Sequence, residues 1–304
     1  MLTIFSCGIL ANILCVIVLT KPSLRSPWNS LLTSLALVDL VGLVMGVGRF
    51  CLNSYLICHS QTTFVVFAFF KSVYDLLCIV MNPWLVFSLA AFRYLTLSSR
   101  FPSNALRYKH VIIIVVSAFI LSLSLYILDV HSQDSKVHTR DNITCHLWIL
   151  SEDNLSAKGY SLYNCIRSLV PCFLLVIFSV LILYHLIKHR KRSHSVLGNA
   201  RSRQEAQIRV AAVVTLGMMC TSIACMSLLV SFAVFIYNDH QLYSGRVYMI
   251  LALVQEVVVP VNSGVNLVFY LINPDFRRQL RNICRRRTDD MREDEGISMM
   301  TMTS

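Results

Sequence analysis

The sequence predicts an all-α membrane protein: a seven-transmembrane helix bundle followed by a short amphipathic cytoplasmic helix. Three observations carry this. The chain of 304 residues is 56% hydrophobic and only 14% charged, with a mean hydropathy of +0.63, too apolar for a soluble domain of that length. Seven apolar segments can be drawn, each near or above the roughly 20 residues that a bilayer crossing needs. Basic residues crowd the connections on one side only. The net charge of +11 is explained by that asymmetry. No aromatic and basic interleaving accompanies it, so nucleic acid is not expected as a partner.

The segments are 2–20, 29–50, 62–97, 110–130, 160–187, 207–237 and 247–272. The first lacks a basic leader region and a small-residue cleavage site, so it reads as a helix rather than a signal peptide. Because it begins at residue 2, little amino-terminal domain is expected ahead of it, as in a fragment or a short-tailed form. The third contains the stretch around which the chain is organised, Ser72 to Leu97, with Asp75, Asn82 and Arg93 along it. At about 1.5 Å per residue, Asp75 and Arg93 lie roughly 27 Å apart, nearly the thickness of the hydrocarbon layer. A carboxylate at one mouth, an amide midway and a guanidinium at the other mouth describe a helix that connects two surfaces.

Orientation follows from the basic residues. The first connection has Lys21 and Arg25, and the third has Arg93, Arg100, Arg107 and Lys109. The fifth has Lys188, Arg190, Lys191, Arg192, Arg201, Arg203 and Arg209; the tail has Arg277, Arg278, Arg281, Arg285, Arg286, Arg287 and Arg292. That side is the cytoplasm. The glycosylation sequons at Asn142 and Asn154 fall in a loop placed outside. After the seventh segment, Phe276, Leu280 and Ile283 recur at helical spacing with arginines between them, an amphipathic helix on the inner leaflet. Cys284 follows, a site for palmitoylation or a free reduced thiol. Cys7, Cys15, Cys78, Cys165, Cys172, Cys220 and Cys225 lie inside apolar segments as small hydrophobes, and no CxxC pair suggests a metal.

Gly8 and Asn12, the run Leu35-Ala-Leu-Val-Asp39, Phe92-Arg93-Tyr94, Pro171 and the run Asn262-Ser-Gly-Val-Asn266-Leu-Val-Phe-Tyr270 are the motif-bearing residues. In that order and on those helices they make the chain resemble the rhodopsin-like (class A) G protein-coupled receptors. The last run resembles a variant met in peptide receptors of the FMRFamide type. The chain departs from the pattern in several places. Phe92 stands where an acid is usual. Residues 219–225 lack CWxP, the fourth helix lacks a tryptophan, Ser179 replaces a tyrosine and Ala68 replaces a disulfide cysteine.

The resemblance implies a seven-transmembrane receptor domain over residues 1–284, a disordered cytoplasmic tail over 285–304 and no enzymatic activity. It implies a plasma-membrane receptor with its amino terminus outside. Such a receptor binds an extracellular peptide and activates a heterotrimeric G protein, with arrestin as a further partner and the lipid membrane as its medium. Asp39, Asn82, Asn262, Ser263 and Asn266 match a pocket for an allosteric sodium ion, the one cofactor expected; a hydrogen-bonded cluster is the plainer reading. Arg93, Tyr94, Asn266 and Tyr270 match the switch that rearranges when G protein enters, and the missing acid at Phe92 implies raised basal signalling unless Glu205 substitutes. Lys71, Asp75, Arg167 and Glu256 near the outer face either pair structurally or, with Tyr74 and Gln255, receive the ligand; Val259 and Tyr248 are weaker candidates. In the functional reading Asp75 and Glu256 take the ligand's cation. The outer disulfide is expected between Cys145 and Cys58, with Cys51 as the other candidate. Rival readings are a biogenic amine receptor using Asp75, a secondary transporter, and a receptor-like protein without coupling.

Overall fold

The computed structural model describes residues 1–55, 61–98, 108–131, 133–140, 143–150, 167, 169–193, 210, 212–227, 245–283 and 285. Among these, five helices are long and apolar enough to cross a membrane: Leu2–Leu19, Pro27–Leu52, Phe64–Leu97, Tyr108–Ile127 and Val170–Lys188. Ala212–Ser227 belongs to the sixth predicted segment, and the helix Gly245–Ile272 is the seventh. The all-α bundle expected from hydropathy is the fold observed. Large apolar side chains such as Leu10, Ile113, Ile120, Phe173 and Val180 point outward, as a lipid-facing surface requires.

Several hydroxyls inside the helices are satisfied locally. The hydroxyls of Thr33, Ser34, Ser88, Ser122 and Ser179 each donate to the carbonyl four residues earlier, so they need no water.

The core joins the helices through large aliphatic side chains, with Leu31 and Leu35 of the second helix, Leu85 and Leu89 of the third, Leu175 and Ile182 of the fifth and Met218 of the sixth. The first helix packs on the second and seventh, and the inner half of the third on the fifth. Glycines permit the closest approaches. A Cβ on Gly8 would lie 2.9 Å from Leu43 Cδ1, and a Cβ on Gly264 would lie 3.6 Å from Gly8 Cα. Gly42 lies directly beneath Cys78, whose Sγ occupies the space a Cβ would need.

The third helix differs from the regular α-helix assumed in counting from Asp75 to Arg93. Gln61–Tyr74 is α-helical, Asp75–Met81 is a π-helical turn, and the α-helix resumes as Asn82–Leu97. Pro83 is the cause. Proline has no N–H to give to the carbonyl four residues back and its ring crowds that carbonyl, so the turn ahead of it widens. One extra residue in a turn rotates everything beyond it by about 100°. Asp75 therefore faces a different direction, relative to Asn82, from the one that regular counting implies.

The connection between the fourth and fifth predicted segments contains an antiparallel pair of strands, Gln133–Arg140 and Ile143–Leu150, with His138 opposite Cys145 and Arg140 opposite Ile143. This element was not anticipated. Ile143, Thr144, Trp148 and Ile149 favour extended backbone, and only Asp141 and Asn142 separate the strands, residue types suited to tight hairpins.

Replacing Gly42 with valine should drive a side chain into Cys78 and lower stability by about 2 kcal/mol, the scale of an overpacked core. Thermal melting of the detergent-solubilised protein checks this, with partial recovery expected in Gly42→Val/Cys78→Ala.

Candidate functional site

A buried polar group is tolerable in the bundle only if its hydrogen-bonding capacity is met, and a buried carboxylate is the most demanding case. Asp39, on the second helix, is fully buried. Asn82 Nδ2 from the third helix donates to its Oδ1, and Asn266 Nδ2 from the seventh donates to its Oδ2 at 3.0 Å. The buried Ser263 side chain lies beside the carboxylate. Asn12 on the first helix completes the group: its Nδ2 donates to Gly8 O at 2.9 Å and to Ser263 O at 3.4 Å. Three helices thus meet at the carboxylate, and the first is tied to the seventh beside it. Of the five residues expected together, Asp39, Asn82, Ser263 and Asn266 are brought into direct contact. Asn262 stands beside Ser263 in sequence, with its Oδ1 buried and without a hydrogen-bond partner; Asn12 Oδ1 is in the same condition.

Toward the end of the bundle that holds the start of the third helix, Lys71 Nζ and Asp75 Oδ2 form an ion pair at 2.8 Å, with the side chains 32% and 14% exposed. The i, i+4 spacing makes this pair local to one helix. Tyr74 is 1% exposed and turns inward, its ring 6.3 Å from Phe5 and beneath the Arg49 guanidinium at 4.5 Å. Arg49, near the C-terminal end of the second helix, therefore joins this charged group, and sequence reading had passed over it. A basic residue inside an apolar segment was the available signal. Val259 is buried in the same cluster as Phe5, Leu43 and Tyr74. Arg167 is half-buried. The side chains of Gln255, Glu256 and Tyr248 lie outside the described residues, as do Glu205, Cys58, Asn142, Asn154 and Cys284. Cys145 is placed only by its strand, and Cys51 is a free, exposed thiol.

At the opposite end of the third helix Arg93 is only 8% exposed, so it does not reach out to the interface as a terminal arginine commonly does. Its guanidinium lies over the Trp28 ring, 5.3 Å from the centroid, and Trp28 stacks on Phe92 at 5.6 Å and 23°. Tyr94 faces the fifth helix, edge-on to Phe178 at 5.6 Å and His185 at 5.4 Å. Phe178 continues the contact to Phe87 at 5.5 Å and Phe87 to Trp84 at 6.1 Å, so aromatic rings line the joint between the third and fifth helices.

Tyr270 is buried, its hydroxyl without a hydrogen-bond partner, and its ring is 5.8 Å from Phe276. Phe276 belongs to the amphipathic helix. Asn273 Oδ1 accepts from Asp275 N–H at 3.0 Å as an N-cap, Pro274 opens the helix, and Pro274–Ile283 leaves the seventh helix at 98°. The expected surface helix is therefore present, with Phe276 buried and Arg277, Arg278 and Arg281 exposed.

Membrane-length helices tied at a buried carboxylate, with charged groups toward one end and a buried arginine at the other, define a multi-pass helical membrane protein with a polar interior. The chain matches the family model of the seven-transmembrane receptors of the rhodopsin family over residues 11–270, and it belongs to that family. Its members are receptors rather than enzymes. A search of curated proteins finds no match.

Replacing Asp39 with leucine leaves the Asn82 and Asn266 amides buried without an acceptor. The loss should be about 2–5 kcal/mol. Asp39→Asn should lose less, and thermal melting in detergent separates the two.

Proposed function

We propose that this receptor binds an extracellular peptide between the outer ends of its helices and activates a heterotrimeric G protein at the Arg93 face. The observation that carries the reading is the succession of buried polar residues along the bundle. The Arg49, Lys71 and Asp75 group stands toward the outer face, the Asp39 cluster lies at mid-membrane, and Arg93 and Tyr270 stand toward the inner end. A peptide is favoured over a small amine because the outer charges are spread over the second, third and fifth helices. An amine reading needs Asp75 as the ammonium partner and, like a peptide cation, would have to displace Lys71 from that carboxylate. A cationic side chain of a peptide would displace Lys71 and use Glu256 as its second anion. The Asn262 to Tyr270 run adds the resemblance to peptide receptors of the FMRFamide type.

The same reading places the amino terminus, the Asn142 and Asn154 glycans and a Cys58–Cys145 disulfide outside, in the plasma membrane. The amphipathic helix, a palmitoylated Cys284, G protein and arrestin belong inside.

The Asp39 cluster suits a small hard cation such as sodium, which takes oxygen ligands. Asp39 supplies the negative charge, Ser263 Oγ and the amide oxygens of Asn82 and Asn266 are neutral donors, and Asn262 Oδ1 is a buried oxygen that lacks a partner. Such an ion would hold the second, third and seventh helices in their resting arrangement.

Cells expressing the chain and screened with a peptide library, read by calcium and cyclic AMP, should yield an agonist whose potency falls about tenfold or more in Asp75→Asn or Glu256→Gln. Unchanged potency in both variants excludes these residues as the ligand's partners, and no response to any peptide excludes the ligand class. Sodium should lower agonist affinity in the native chain and lose that effect in Asp39→Asn; equal salt effects in the two exclude the ion.

A further inference from the structure

Phe92 stands before Arg93 where the family pattern has an acid, and the geometry supplies another restraint on the arginine. One indole ring serves both residues: Trp28 stacks on Phe92 at 5.6 Å and lies 5.3 Å from the Arg93 guanidinium. A planar guanidinium is attracted to the face of an indole, the strongest of the aromatic partners, and more so where water is excluded. Here Arg93 and Phe92 are both 8% exposed, so the contact is largely dry.

The turn that carries Trp28 is held in place by its own backbone. Ser26 Oγ accepts from the Asn29 N–H at 3.1 Å as the cap of the second helix, and Pro27 is its first residue, with φ already set for a helix. Asn29 Nδ2 donates back to Leu24 O, tying the helix start to the short turn Pro22–Leu24 of the first inner connection. The ring is therefore presented from a fixed position.

We propose that Trp28 is a positioning residue for coupling. Its indole holds Arg93 in the resting arrangement through a cation–π contact, braced by the stack on Phe92, and stands in for the absent carboxylate. The inference deepens the reading of the Arg93 face as the G protein surface and rests on it for its consequence, though not for its geometry. It also opposes the expectation that Phe92 alone leaves Arg93 unrestrained. A neutral ring cannot be protonated, so this restraint persists at a pH where a carboxylate partner would be lost. Any group that engages Arg93 from the cytoplasm has to draw it off the ring.

The test uses the full chain in lipid nanodiscs as wild type, Trp28→Leu and Trp28→Phe. Phenylglyoxal modifies accessible guanidinium groups, and peptide mass spectrometry gives the rate at Arg93, with exposed Arg278 as the internal reference. Trp28→Leu should raise the Arg93 rate about tenfold, while Trp28→Phe, which keeps a ring face, stays within about threefold of wild type. Agonist-independent nucleotide exchange on added G protein should rise severalfold in Trp28→Leu alone. If Trp28→Leu does not fold, Phe92→Leu replaces it, with a smaller rise expected because only the brace is removed. Equal protection of Arg93 in wild type and the leucine variant, or equal rates in the leucine and phenylalanine variants, overturns the proposal. The expected protection pattern without exchange in any variant overturns the coupling reading and leaves the clamp standing.

Discussion

One buried carboxylate disciplines the bundle. Asp39 sits where no solvent can answer its charge, so amide donors from other helices have to come to it, and the third and seventh helices do so through Asn82 and Asn266. Asn12 then ties the first helix to the seventh through Ser263 O. In a bilayer the hydrophobic effect does not drive helices together, because lipid is as apolar as leucine, so such polar contacts and close glycine packing fix the arrangement. Gly8, Gly42 and Gly264 provide that close packing around the same four helices. The carboxylate and the small residues solve one problem jointly: the donors can reach Asp39 only because the backbones approach closely.

Much of this could be read from the chain. Membrane spans announce themselves by length and apolarity, and a polar side chain in an apolar run such as Asp39, Asn82 or Asn266 demands partners, though which of them meet was implied by the resemblance to rhodopsin-like receptors. The amphipathic helix was legible from the spacing of Phe276, Leu280 and Ile283, and its start from the Asn273-Pro274 pair. Contacts between distant segments were not. Nothing in the run around Trp28 reveals that its ring will cover Arg93, since aromatic residues at helix ends near a membrane interface are ordinary. Arg49 was in view but lay at the edge of a span, where charge is cheap, and its partner ring on Tyr74 belongs to another helix.

The third helix shows a different kind of limit. Pro83 is plain in the sequence, yet apolar periodicity continues through it, and periodicity alone reports a straight rod. The π turn Asp75–Met81 lets the helix accommodate the proline without breaking, so Phe64–Leu97 remains one span. Its effect is angular rather than longitudinal: it changes which neighbours the outer residues meet while leaving Asn82 and Arg93 in register with each other. The ion pair of Lys71 with Asp75 spans the junction, since Lys71 lies on the α-helix and Asp75 opens the turn, and the i, i+4 contact is kept because the extra residue is inserted beyond it.

The 98° corner at Asn273 has a mechanical meaning. Phe276 is seated under Tyr270 while its own helix carries arginines outward toward lipid headgroups. The short helix therefore has the shape of a lever whose fulcrum touches the base of the seventh helix. A displacement of its arm would reach the base of the seventh helix through the single ring contact of Phe276 with Tyr270.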